Sequence, residues 1–121
     1  MFVVDAETKK ITMHRGDTGS ITFTVTGYDF SDVTCKALFT LKKVKGGDVV
    51  KEQAYTLGSN GQFTVSFANA DTDYLTPGNY EYDVRLIVNP VMDGTKIVSG
   101  TVVRTPYDPI PVEIRRTVGE V

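Results

Sequence analysis

Apolar and polar residues alternate along most of this chain, which is the period of a half-buried β-strand. The longest run follows Thr76-Pro-Gly-Asn79. Tyr80, Tyr82, Val84, Leu86 and Val88 fall on one face, and Glu81, Asp83 and Arg85 on the other, with Ile87 the exception. Pro77 presets φ and Gly78 can take the positive φ of a type II turn, so a tight corner is predicted before this strand. Ile21, Phe23 and Val25 alternate with Thr22, Thr24 and Thr26, predicting a second strand. Residues 35–42 predict a third, with Ala37, Phe39 and Leu41 inward; Lys45-Gly-Gly-Asp48 closes a hairpin to a fourth over 49–55. Asn60-Gly61 is the strongest hairpin signal, and Phe63, Val65 and Phe67 point inward on the strand after it. Residues 68–75 break the alternation, where Asn69 or Asp71 is placed to cap one helical turn that drops Leu75 onto the core. Residues 89–94 predict a hairpin loop and 97–103 its return strand.

No stretch carries an apolar stripe at helical spacing over ten or more residues. About seven or eight short strands separated by turn residues predict an all-β fold, an antiparallel immunoglobulin-like β-sandwich. Residues 1–121 form one domain, with a core over about 10–104. Pro106, Pro109 and Pro111 interrupt the tail, so 105–121 is predicted to be an edge strand or a C-terminal arm. The corner leading to Tyr80 resembles the tyrosine corner of immunoglobulin-like folds, where a tyrosine hydroxyl bonds back to upstream backbone. With no tryptophan and one cysteine, the Cys…Trp…Cys signature of antibody domains is missing, and such a sandwich is held by burial alone.

A hydrophobic content of 40% and a charged content of 23% are those of a globular domain, which excludes a disordered or fibrous chain. The net charge of −2 gives no electrostatic footprint for nucleic acid or an acidic membrane surface. No run approaches the roughly twenty apolar residues of a membrane span. The first residues lack the basic start and apolar run of a secretory leader, so synthesis in a reducing cytoplasm is expected. Cys35 alone forms no intrachain disulfide and reads as a small apolar strand residue.

The candidate chemistry is sparse, and no catalytic, cofactor-binding or metal-binding constellation stands out. Arg15-Gly16-Asp17 matches the integrin-binding tripeptide, but in a turn Gly16 supplies the backbone and Asp17 bonds to nearby N–H groups. His14 is the only histidine, with no nucleophile or ligand set at a recognisable spacing. Asn69, Asp71 and Asp73 offer oxygens in alternation but too few for a calcium loop, and capping explains them. Tyr28, Phe30, Tyr55, Tyr74 and Tyr107 are candidates for an aromatic platform that binds carbohydrate. Lys42, Lys43 and Lys45 read as a solvated hairpin.

Five segments in order, 14–25, 37–43, 61–67, 71–86 and 97–102, carry a family likeness. They begin His14-Arg-Gly-Asp-Thr-Gly and include Asp71-Thr-Asp-Tyr-Leu-Thr-Pro-Gly-Asn-Tyr80. This ordered set resembles the immunoglobulin-like domains of phage tail and baseplate proteins from low-GC Gram-positive hosts, such as the baseplate upper protein family. The resemblance implies a structural module of a virion or prophage particle, made in the bacterial cytoplasm and carrying no enzymatic residues. A scaffold or connector role is expected, with other virion proteins or further copies of this chain as partners. A carbohydrate-binding module and a cell-surface adhesion or pilus-type domain are the competing expectations.

Overall fold

A computed structural model of the chain describes residues 2–25, 35–44, 47–57, 61–94 and 96–116, and the side chains of all of these except 96, 101–106 and 108. Eight strands and one helical turn are described, so the protein is all-β: β1 (Phe2–Val4), β2 (Ile11–His14), β3 (Gly19–Thr24), β4 (Cys35–Lys43), β5 (Val49–Thr56), β6 (Gln62–Phe67), α1 (Asn69–Thr72), β7 (Gly78–Asp93) and β8 (Lys96–Arg115). Six strands form one sheet in the order β1-β2-β8-β7-β4-β5, and β3 pairs with β6 in a second. The smaller sheet lays Ile21, Phe23, Phe63, Val65 and Phe67 onto the large one, which presents Ile11, Met13, Ala37, Phe39, Leu41, Tyr80, Tyr82, Val84 and Leu86.

Each inward set follows from the alternation in the sequence. Ala37, Phe39 and Leu41 are fully buried, as are Phe23 and Val65. Aromatic rings fill the middle of the core. Phe23 stacks on Phe63 at 5.2 Å and meets Tyr82 edge-on at 5.6 Å, and Phe39 stacks on Tyr82 at 5.2 Å. Such contacts add to burial because a ring's positive edge is drawn to its neighbour's negative face. Leu75 drops into this core as expected, carried by α1.

The sheet is mixed. β2 runs parallel to β8, with Ile11 opposite Val112 and His14 opposite Arg115, while the other pairings are antiparallel.

The tail differs in part from the arm or edge strand expected. Residues 105–115 continue β8, which among the described residues pairs with β7 alone as far as Pro111, as an edge does, and lies between β7 and β2 from Val112 to Arg115. Val112 and Ile114 are core residues, so the core runs past residue 104. The prolines are accommodated because they precede the β2 pairing, where β8 has a described partner on one side only. Pro106 and Pro109 also fall in register shifts, between Arg104 and Tyr107 and between Tyr107 and Ile110, where ladder bonds are already interrupted.

Two turns also differ from expectation. Gly78 has φ of 151°, well past the roughly +80° of a type II turn, and it starts the strand directly. Residues 89–93 are strand, so the β7–β8 hairpin turns later, at Gly94. Parts of the predicted 45–48 and 58–61 turns, and all of Tyr28 and Phe30, lie outside the described residues.

Candidate functional site

The predicted tyrosine corner is present. The Tyr80 hydroxyl donates to the Thr76 carbonyl at 2.8 Å, fastening the backbone that enters β7. Beside this corner lies a groove of about 220 Å³ lined by Lys43, Asp48, Val49, Val50, Tyr74, Leu75, Thr76 and Tyr80. Its walls come from the end of β4, the start of β5 and the link from α1 to β7. Tyr74 is 64% exposed here, and Val49 and the adjoining Val44 are about half exposed. Thus apolar surface gathers beside one cation and one carboxylate, at the sheet end where Lys43 pairs with Tyr80.

At the other end of the same strands the molecule has a projection. Cys35, the first residue of β4, pairs with Val88. Beyond Val88, among the described residues, β7 pairs with β8 alone, through Val91–Ser99, Met92–Ile97 and Asp93–Lys96. The result is a two-stranded ribbon over residues 89–100. A register shift interrupts its ladder where Asn89 and Pro90 oppose Gly100, and Asn89 adopts φ of 50°. Gly100 is required at this crossing: a Cβ there would stand 2.5 Å from Ile87 Cγ2 and 3.2 Å from Pro90 Cα. Val91 is 57% and Val98 66% exposed on the ribbon.

A smaller cleft of about 100 Å³ is lined by Thr40, Lys42, Glu81, Tyr82, Asp83 and Pro109. Thr40 Oγ1 donates to Glu52 Oε2 at 3.2 Å beside it, and Asp83 Oδ1 and Arg85 Nε are buried without a hydrogen-bond partner.

The residues singled out in the sequence are used structurally. The Arg15-Gly16-Asp17 turn is tied to α1: Gly16 N–H donates to Thr72 Oγ1 at 2.9 Å, and Asn69 Nδ2 donates to the Gly16 carbonyl at 3.0 Å. Asp17 Oδ2 accepts the His14 N–H at 2.8 Å, closing the turn from within, and lies 3.8 Å from His14 Nδ1. Asp71 accepts the Ala68 N–H at 2.7 Å and lies 3.5 Å from Lys51 Nζ, so one of the two expected caps is in place. Asn69, the other, is engaged with the Gly16 turn instead. Among the described residues no three His, Cys, Asp or Glu side chains converge to hold a metal ion.

The aromatic candidates divide. Tyr55 stacks on Phe63 at 5.5 Å, and Tyr107 meets Phe23 edge-on at 4.9 Å while its hydroxyl donates to the Thr24 carbonyl at 3.0 Å. Both pack against the core, leaving Tyr74 as the described member that faces solvent. Burial pushes the Cys35 thiol pKa up, which keeps it protonated and fits a small apolar side chain better than a nucleophile.

Two anchors are not legible in the sequence. Thr72 is fully buried and reaches a turn 56 residues away. The buried Tyr82 donates through its hydroxyl to the Lys9 carbonyl at 2.7 Å, and Lys9 itself has φ of 65°. The ribbon is not legible either, because Asn89-Pro90 reads as loop.

This is a two-layered all-β protein with a tyrosine corner, a groove at one end and a hairpin at the other. The chain matches no protein-family model, no curated protein and no solved structure.

Proposed function

We propose that the chain is a non-enzymatic structural module of a phage or prophage tail or baseplate, working as scaffold or connector through contacts with other virion proteins or with itself. The observation that carries this reading is the ribbon over 89–100, which extends past β4 and exposes Val91 and Val98. A two-stranded ribbon is marginal alone in water, and exposed valines on it gain most by being covered by another protein. The tyrosine corner adds support, since it is a feature of immunoglobulin-like folds, the fold that the likeness to baseplate domains implies. Mass spectrometry of gradient-purified particles from an induced host tests the reading. Peptides of this chain in stoichiometric amounts are expected, and their absence from intact particles contradicts it.

A second reading, a carbohydrate-binding module, is favoured by one observation: Tyr74 presents an exposed ring beside Lys43 and Asp48 in the groove. An aromatic face with a few polar groups is the chemistry of sugar recognition. Glycan-array binding that vanishes in Tyr74→Ala supports this reading over the scaffold.

A further inference from the structure

The described surface has six large exposed apolar side chains, and five of them fall in two places. Val44, Val49 and Tyr74 sit at or beside the groove, and Val91 and Val98 sit on the ribbon. The two places lie at opposite ends of β4, whose Lys43 pairs with Tyr80 at the groove and whose Cys35 pairs with Val88 where the ribbon begins. At the usual rise of an extended strand, those two ends are roughly 27 Å apart. One feature is convex and the other concave.

We infer that the ribbon of one copy seats in the groove of a second copy, joining the copies head to tail. The valines of the ribbon meet Tyr74 and Val49, so apolar surface is removed from water on both partners. The ribbon end has the exposed Asp93 across from Lys96 in the ladder, and the groove has Lys43 beside Asp48, so each surface holds one residue of either charge to match the other. A net charge of −2 per chain sets up little repulsion between copies. Because the two surfaces differ and lie far apart on one molecule, the contact is heterologous and leaves a free ribbon at one end and a free groove at the other. Repetition of such a contact closes a ring or grows a filament. The inference rests on the structural-module reading and names the partner as the same chain.

Sedimentation equilibrium of the full chain over a wide concentration range tests it, with three samples besides the native protein. The first carries Val91→Glu with Val98→Glu on the ribbon, and the second carries Val49→Glu with Tyr74→Ala at the groove. All four positions are exposed, and circular dichroism and the thermal midpoint verify that each variant stays folded. Each variant alone is expected to lose self-association by about tenfold or more, the scale of an interface hot spot. The third sample mixes the two variants. The ribbon variant keeps its groove and the groove variant keeps its ribbon, so the mixture is expected to form a one-to-one complex that neither forms alone. Four results overturn the inference. They are a native protein that stays monomeric at the highest concentration, self-association that the groove changes leave untouched, a mixture that forms no complex, and glycan binding through Tyr74 by a protein that remains monomeric. A monomer in solution leaves the particle reading to its own test in purified virions.

Discussion

Tyr80 and Tyr82 project from the same face of β7, yet their hydroxyls hold different parts of the molecule. Tyr80 fastens the corner at Thr76, and Tyr82 fastens the turn at Lys9. Replacing Tyr80 by Phe is expected to cost about 1 kcal/mol in urea unfolding, the net worth of one hydrogen bond. Tyr82→Phe removes a more deeply buried bond and is expected to cost about 1–2 kcal/mol. A loss too small to measure in both variants contradicts the roles assigned to them. Burial raises the pKa of Tyr82, with a lesser push from Tyr107, and burial followed by Asp71 raises that of Tyr55. Both phenols therefore hold their protons more tightly folded than unfolded. Their contribution is fully present below the unfolded phenol pKa of about 10 and is lost as pH rises through the raised values. Alkaline unfolding should thus begin near pH 10, and Tyr82→Phe should flatten the fall in stability there; an unchanged slope contradicts the assignment. Asp5 acts at the acid end. Hydrogen bonds from the Thr8 and Glu7 N–H groups lower its pKa, so what it gives the β1–β2 turn is lost as pH falls through that depressed value.

Among the elements, β8 separates what alternation reveals from what it hides. Ile21, Phe23, Ala37, Phe39, Leu41, Phe63, Val65 and Phe67 were legible as inward residues because each belongs to a short strand with clean alternation between turns. Tyr80 was legible as the corner residue because the corner is local, four residues long from Thr76. The end of β8 was not legible, since three prolines mask the alternation of Val112 and Ile114. What admits those prolines is the stagger of β2, which begins its pairing only at Val112. Stagger between strands far apart in sequence leaves no local trace, and neither does a parallel pairing. The groove was half legible: Tyr74 was named for its ring, but its neighbours Lys43, Asp48 and Val49 come from a hairpin that only the fold brings near. Removing residues 105–121 should therefore abolish folding, because it takes Val112 and Ile114 from the core and cuts the β1–β2 pair off from the rest of the large sheet. A truncated chain with native circular dichroism and cooperative unfolding contradicts the place given to β8. Gly100→Ala makes the complementary test. Its Cβ would collide with Ile87 and press on Pro90, so the ribbon should distort at a cost of about 1–3 kcal/mol, the range of overpacked sites. Unchanged stability together with an unchanged spectrum for Ile87 contradicts the close crossing.

At the scale of the molecule, the core and the ribbon are built for different ends. The two sheets bury a continuous aromatic and aliphatic core, and the end of β8 completes it between β7 and β2. The ribbon adds none of its described residues to that core and carries valines into solvent instead. This division fits the structural module proposed above, with a packed body and with apolar surface left open on the ribbon and at the groove. Amide hydrogen exchange, followed residue by residue in dilute and concentrated protein, tests it most directly. The account expects Val112–Arg115 to exchange among the slowest amides at every concentration. It expects residues 89–100 to exchange quickly when dilute and to gain protection when concentrated, together with Val49 and Tyr74. Rapid exchange at Val112–Arg115, or a ribbon whose exchange ignores concentration while the groove does the same, would contradict it.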